Sequence, residues 1–218
     1  ICGATSQNFV ADSENSVSLD DSKTLKIAIV GAGIAGLSAA ESIRKTSASA
    51  KITLFSKEIH LPYYRLNLTR YLAREIKESD LPVHPENWYK ENNIDLKTGI
   101  EVKNILSNDK MLELSNGEKA KFDKLILAMG AHSFVPPIQG ANKKNVICIR
   151  TCDDVKYLLD NLEKGKKCVC IGGGILGIEA AGAIAKNGVN VTMLESFSWL
   201  MPRQLNKEAS NILENHLK

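Results

Sequence analysis

"CVCIGGGILGIEAAGAIA", Cys168 to Ala185, joins a short apolar run, a glycine-rich turn and a stretch of small helix-forming residues. A strand that passes through a tight turn straight into a helix leaves unpaired backbone N–H groups at the start of the helix, and these attract phosphate. "KIAIVGAGIAGLSAAESI", Lys26 to Ile43, has the same layout, so the chain carries the arrangement twice. The pair predicts an α/β fold of two Rossmann-like dinucleotide-binding domains built from βαβ units around parallel strands.

Within Gly31-Ala32-Gly33-Ile34-Ala35-Gly36, each glycine has its own task. The first permits the tight strand exit, the second lets a pyrophosphate approach the backbone, and the third lets helix and strand touch. Gly172-Gly173-Gly174-Ile175-Leu176-Gly177 repeats the pattern, and Ala40 and Ala181 continue the thin face of each helix. A close-packed turn would account for one such loop; two in full βαβ context point to two dinucleotides.

The acid that follows each unit adds a specificity argument. Glu195 closes the strand "VNVTMLE" near the spacing of ~20 residues at which a carboxylate meets the ribose 2′-OH. It would accept from that hydroxyl and repel a 2′-phosphate, which favours NADH over NADPH; the plainer reading is a solvated strand-end acid. In the first unit the strand "AKITLFS" runs into Ser56, Lys57 and Glu58, and the acid comes slightly late.

Composition narrows the class. The chain has 218 residues, 44% hydrophobic and 24% charged, with no apolar run near the ~20 residues a membrane helix requires. The net charge is +3, and Asp12, Glu14, Asp20 and Asp21 concentrate negative charge in the first 22 residues, leaving a basic body. Such a body suits nucleotide phosphates or an acidic partner, and the lack of dense Lys/Arg clusters with interleaved aromatics argues against nucleic acid. Five cysteines, at positions 2, 148, 152, 168 and 170, make no paired framework and predict a reducing, cytoplasmic setting. The absence of an initiator Met predicts a fragment.

Three segments follow: a Ser/Asn/Asp-rich tail or linker over 1–22, a first nucleotide domain over 23–140, and a second, truncated one over 141–218 that lacks its third strand. Between them lie a proline-bounded helical piece, short strands including "IDLKT", an Asn-Gly hairpin in "MLELSNGEKAKF" and a buried strand in "FDKLILAMGA". A helix "CDDVKYLLDNLEKG", closed by Gly165, precedes the second unit.

Taken together, the two loops, Glu179 in "GGGILGIE", the return segment "LILAMGAHSFVPPIQG" with Ala128 and Gly130, and "WLMPRQLN" resemble the two-dinucleotide flavoproteins of the pyridine nucleotide-disulphide oxidoreductase superfamily. "LPYYRLNLTRYL" is similar to the NADH:rubredoxin reductase branch, whose relatives include the flavin module of nitrite reductase. The resemblance implies FAD in the first unit and NADH in the second, Arg65 beside the flavin and Val102 touching its adenine through the backbone. Arg65 reads equally as an exposed loop cation, and Tyr63 and Tyr64 as either stacking or packing residues. Asn67 stands where relatives carry a second base, and the family's Gly-Asp segment that completes the FAD site is not met before Lys218.

Residues 59–75 contain no cysteine, whereas disulphide reductases of the superfamily carry Cys-x4-Cys there and NADH oxidases one cysteine. The resemblance therefore implies that the flavin passes electrons onward singly, to rubredoxin or a fused rubredoxin-like domain. Cys148, Cys152, Cys168 and Cys170 read as small core residues, and His60, His84, His132 and His216 as surface or loop residues without metal spacing. "ICGATSQNFV" resembles the end of a rubredoxin iron knuckle, with Cys2 as its last ligand and the other three upstream. Two rival readings remain: the flavin module of an NADH-dependent nitrite reductase, and a nucleotide-binding scaffold without turnover.

Overall fold

A computed structural model describes residues 24–218. The expected tail over 1–22, with Cys2 as the expected iron ligand, lies outside the described residues.

The first unit runs β1 (Lys26–Val30), α1 (Ile34–Thr46), β2 (Lys51–Phe55), α2 (Leu68–Leu72), α3 (Glu86–Glu91), β3 (Ile94–Lys97), β4 (Val102–Leu106), β5 (Met111–Leu114), β6 (Lys119–Lys121) and β7 (Lys124–Leu127). The second adds α4 (Cys152–Asn161), β8 (Lys167–Ile171), α5 (Ile175–Ala185), β9 (Asn190–Leu194) and α6 (Lys207–Leu217).

The first sheet has the order β3-β2-β1-β7 with every neighbour parallel. Parallel strands joined by crossovers are covered on both faces, which is why β1 reads as an unbroken apolar run. On one face Leu37 and Ala40 of α1 meet Ile27, Ile29, Ile52 and Leu54; on the other Ala28, Val30 and Phe55 meet Leu112 and Leu114 of the antiparallel sheet β4-β5-β6. The Asn-Gly hairpin joins β5 to β6, with Gly117 at φ +85°.

Arg44, near the end of α1, ties this unit together. Its guanidinium donates to the carbonyls of Ser47, Ala48, Ala50, Asn92 and Asn93 at 2.6–3.0 Å, joining the α1–β2 turn to the α3–β3 turn.

β7 is less buried than its sequence predicts: Leu127 is 51% exposed. Among the described residues the strand pairs with β1 alone. The helix expected to close at Gly165 ends at Asn161, and Gly165, at φ +82°, instead turns the chain into β8, its N–H donating to the Gly188 carbonyl. Thr151 starts that helix with a reciprocal cap, its hydroxyl accepting from the Asp154 N–H while the Asp154 carboxylate accepts from the Thr151 N–H.

In the second unit β8 and β9 form a parallel pair beside α5. Cys168 and Cys170 both face inward and are half-buried, Cys152 is fully buried, but Cys148 is exposed. It precedes α4 in irregular chain, so no helical spacing carries it to the core beside Cys152.

The units meet through α2. Leu68 and Leu72 pack with Cys152, Val155, Ala183, Ile184 and Val189 of the second unit. Asn187 reinforces the contact, donating to the Leu72 carbonyl at 2.8 Å and accepting from Arg74 Nε at 2.7 Å. Burying a leucine stabilises by roughly 1.5–3 kcal/mol, so α2 joins the units as a shared core.

Candidate functional site

The two glycine loops are built alike atom by atom. Gly31 and Gly172 leave their strands at φ +105° and +110°, a region that side chains rarely enter. The N–H of each reaches across to the neighbouring strand, Gly31 to the Phe55 carbonyl at 2.9 Å and Gly172 to the Leu194 carbonyl at 2.8 Å. A Cβ on Gly36 would collide with the Gly31 carbonyl oxygen, and one on Gly177 with that of Gly172. The third glycine is thus what lets helix and loop touch.

Gly33 and Gly174 are the N-caps of α1 and α5, both extended, neither helix having a side-chain cap nor an acid in its first turn. A Cβ at either would meet nothing within 4 Å. The helix starts therefore present uncapped N–H groups and a positive dipole end to open space, an arrangement that fits a pyrophosphate. Ile34, Ile175 and Leu176 stand exposed around these starts. Ala35 is likewise exposed, while Ala32 packs against the first core.

The loops differ in what backs them. A Cβ on Gly31 would run into the backbone of Ala128, so the Ala128–Gly130 segment lies against the first loop. Gly172 has nothing within 4 Å there, and Gly173 is instead backed by Leu200 and Glu195.

Glu195 bends back over the second loop. Its Oε2 accepts from the Gly173 N–H at 2.6 Å, and its Oε1 from the Phe197 N–H at 3.0 Å and the Ser196 hydroxyl at 3.1 Å. The Phe197 and then the Gly173 N–H hold its carboxyl below the usual carboxylate range. Glu179 is exposed on the outer side of α5.

At the end of β2 the pattern changes. Ser56 is buried, its hydroxyl on the Glu58 carbonyl, while Lys57 is exposed and pairs with Glu101. Glu58 pairs with Arg65 and accepts from the Tyr63 hydroxyl at 2.5 Å. Arg65 also donates to the Tyr63 oxygen at 3.1 Å and to the Arg150 carbonyl at 2.6 Å. Among the described residues, none of Arg65's hydrogen bonds goes to a glycine loop. Tyr63 is buried and accepts from the Cys152 N–H at 3.0 Å, whereas Tyr64 is half-exposed. Val102 opens β4 and packs beneath Phe55 and Leu112.

Sequence reasoning passed over Arg150, whose guanidinium faces Gly130 across a gap that a Cβ would narrow to 3.5 Å. Its nearest sequence signal was the Thr-x-x-Asp cap one residue later.

Fold and loops define a protein of the two-unit Rossmann class. A family model described as pyridine nucleotide-disulphide oxidoreductase matches residues 25–218, and the chain belongs to that family. It is 34% identical over 194 residues to the nitrite reductase [NAD(P)H] of Bacillus subtilis, covering 88% of this chain and 24% of that protein. To the rubredoxin-NAD(+) reductase of Pseudomonas putida it is 33% identical, covering 89% of this chain and 51% of that one. The crystal structure of NADH:rubredoxin oxidoreductase from Clostridium acetobutylicum superposes with a TM-score of 0.80 at 33% identity, over 89% of this chain and 50% of that one. The chain spans about a quarter to a half of the length of these relatives. No helix among the described residues is long and apolar enough to cross a membrane.

Proposed function

We propose that the protein is an NADH-dependent flavoprotein oxidoreductase, with FAD on the Gly31–Gly36 loop, NADH on the Gly172–Gly177 loop, and a one-electron carrier such as rubredoxin as acceptor. The observation that carries this reading is the duplicated loop, each copy an uncapped helix N-terminus with an open glycine before it. When bound, the flavin would supply the chemistry, accepting two electrons from NADH as hydride and releasing them one at a time to the carrier.

The chain's own residues bind and orient. Gly33 and Gly174 leave room for phosphate, and the first-turn N–H groups donate to it. Glu195 is held ionised by the N–H groups of Phe197 and Gly173, which suits it to accept from an unphosphorylated ribose and repel a 2′-phosphate. In the first unit Ser56 and Lys57 flank the strand end, Val102 and the Ala128–Gly130 segment would border the cofactor, and Arg65, held by Glu58, would lie beside the flavin. Rubredoxin reductases among the relatives support the acceptor class. The domain limits 23–140 and 141–218 follow from the two loops, and a cytoplasmic setting from the unpaired cysteines.

The test is the visible spectrum of the purified protein during an anaerobic NADH titration. Bleaching of a bound flavin band by about one equivalent of NADH supports the reading; a colourless protein, or a yellow one that NADH leaves unchanged, overturns it. Similarity to the Bacillus subtilis nitrite reductase favours a second acceptor, a nitrite-reducing centre. Comparing NADH-dependent rubredoxin reduction with nitrite reduction separates the two. For rubredoxin the basic body predicts a rate that falls as salt rises.

A further inference from the structure

His60, Glu78 and Cys152 converge where the two units meet, using none of the glycine-loop residues. His60 follows β2, Glu78 lies in the turn between α2 and α3, and Cys152 is the first residue of α4. An imidazole nitrogen, a carboxylate oxygen and the Cys152 sulfur all lie within 4.8 Å of one another. The three side chains line a cavity of about 450 Å³ together with Leu61, Ser79 and Pro82.

We propose that His60, Glu78 and Cys152 form a binding site for a divalent transition-metal ion of the zinc class at the junction of the two units. Nitrogen, oxygen and sulfur donors are the set zinc takes, and three protein ligands leave a fourth position open toward the cavity. His60 is already oriented for the task. Its Nε2 lies 2.7 Å from Asp153 Oδ1, and a carboxylate there fixes the tautomer that leaves the Nδ1 lone pair facing Glu78, 4.0 Å away.

Metal–ligand bonds of ~2.0–2.3 Å place tetrahedral ligands roughly 3.3–3.8 Å apart, so the triad closes by a movement of about 1 Å. The Glu78 side chain, 44% exposed, has the freedom to make it. Charge is also provided for. Lys156 Nζ lies 2.7 Å from Glu78 Oε1, and a dication together with that ammonium balances the thiolate and the carboxylates of Glu78 and Asp153. An ion pair from Lys156 and a hydrogen bond from His60 would by themselves account for the two carboxylates; the thiol turned to the same point makes the group a ligand set. Bound there, the ion ties the β2 loop to α4 and fixes the first unit against the second.

Cobalt(II) titration of the purified protein in a Cys2→Ser background tests the site. One equivalent should bind with a near-ultraviolet thiolate-to-cobalt band that Cys152→Ser abolishes, and His60→Ala and Glu78→Gln should each weaken binding at least about 10-fold. Asp153→Asn, on an exposed side chain, should weaken binding roughly 10-fold while leaving thermal unfolding of the metal-free protein unchanged. A band that survives Cys152→Ser, binding indifferent to His60→Ala and Asp153→Asn, or no binding at micromolar cobalt overturns the proposal.

Discussion

At the scale of single residues, the glycines of one loop separate folding from binding. Gly33→Ala adds a Cβ to open space and should change stability by about 1 kcal/mol or less, yet it intrudes where phosphate would sit and should weaken flavin retention at least about 10-fold. Gly36→Ala forces its Cβ into the Gly31 carbonyl and should cost about 3 kcal/mol in urea unfolding. Tyr63→Phe removes the hydroxyl shared by Glu58, Arg65 and the Cys152 N–H, and should cost about 2 kcal/mol by the same measurement. Burial pushes the Cys152 thiol up to about 11, so iodoacetamide at pH 8 should label exposed Cys148 and spare Cys152. Because the folded pKa is raised, this thiol's contribution to stability is complete below its ordinary value and is lost as pH rises from about 9 toward 11. For Glu195 the sign is opposite: its folded pKa is lowered, so its contribution holds above the ordinary carboxylate pKa and fades only in stronger acid. The loop glycines and Glu195 were legible from spacing alone. The Glu58–Arg65–Tyr63–Arg150 cluster was not, because its members are up to 92 positions apart and only the fold brings the Arg150 carbonyl to Arg65.

At the scale of elements, periodicity located the strands and helices but not their surroundings. Leu54 and Phe55, neighbours on β2, are both buried because layers cover both faces of the sheet, which alternation along the strand does not reveal. β7 has an apolar sequence, yet among the described residues it pairs with β1 alone and is only partly buried, which composition does not reveal. Arg44 illustrates a contribution invisible to pattern: a charged residue near the end of α1 that satisfies five carbonyls from two turns distant in sequence. Arg44→Met should destabilise by about 2 kcal/mol, lowering the thermal midpoint by roughly 4–8 °C. Lysine should not rescue it, since a point-like ammonium cannot span the same fork.

For the whole molecule, the segment from Ala128 to Thr151 connects the units without regular structure, and Met129 and Phe134 stand 65% and 81% exposed along it. Trypsin should cut first near Lys143 and Lys144, and the two halves should stay together through Leu68 and Leu72 on gel filtration. Fragments that separate after cleavage would show that α2 does not bond the units. The likeness of the two loops has a practical use as well. Since both share one backbone geometry inside one polypeptide, Gly33→Ala and Gly174→Ala are matched lesions, and temperature, viscosity or ionic strength acts on both alike. Subtracting one variant's response from the other's cancels those common influences, so the molecule carries its own internal standard for telling the two nucleotides apart.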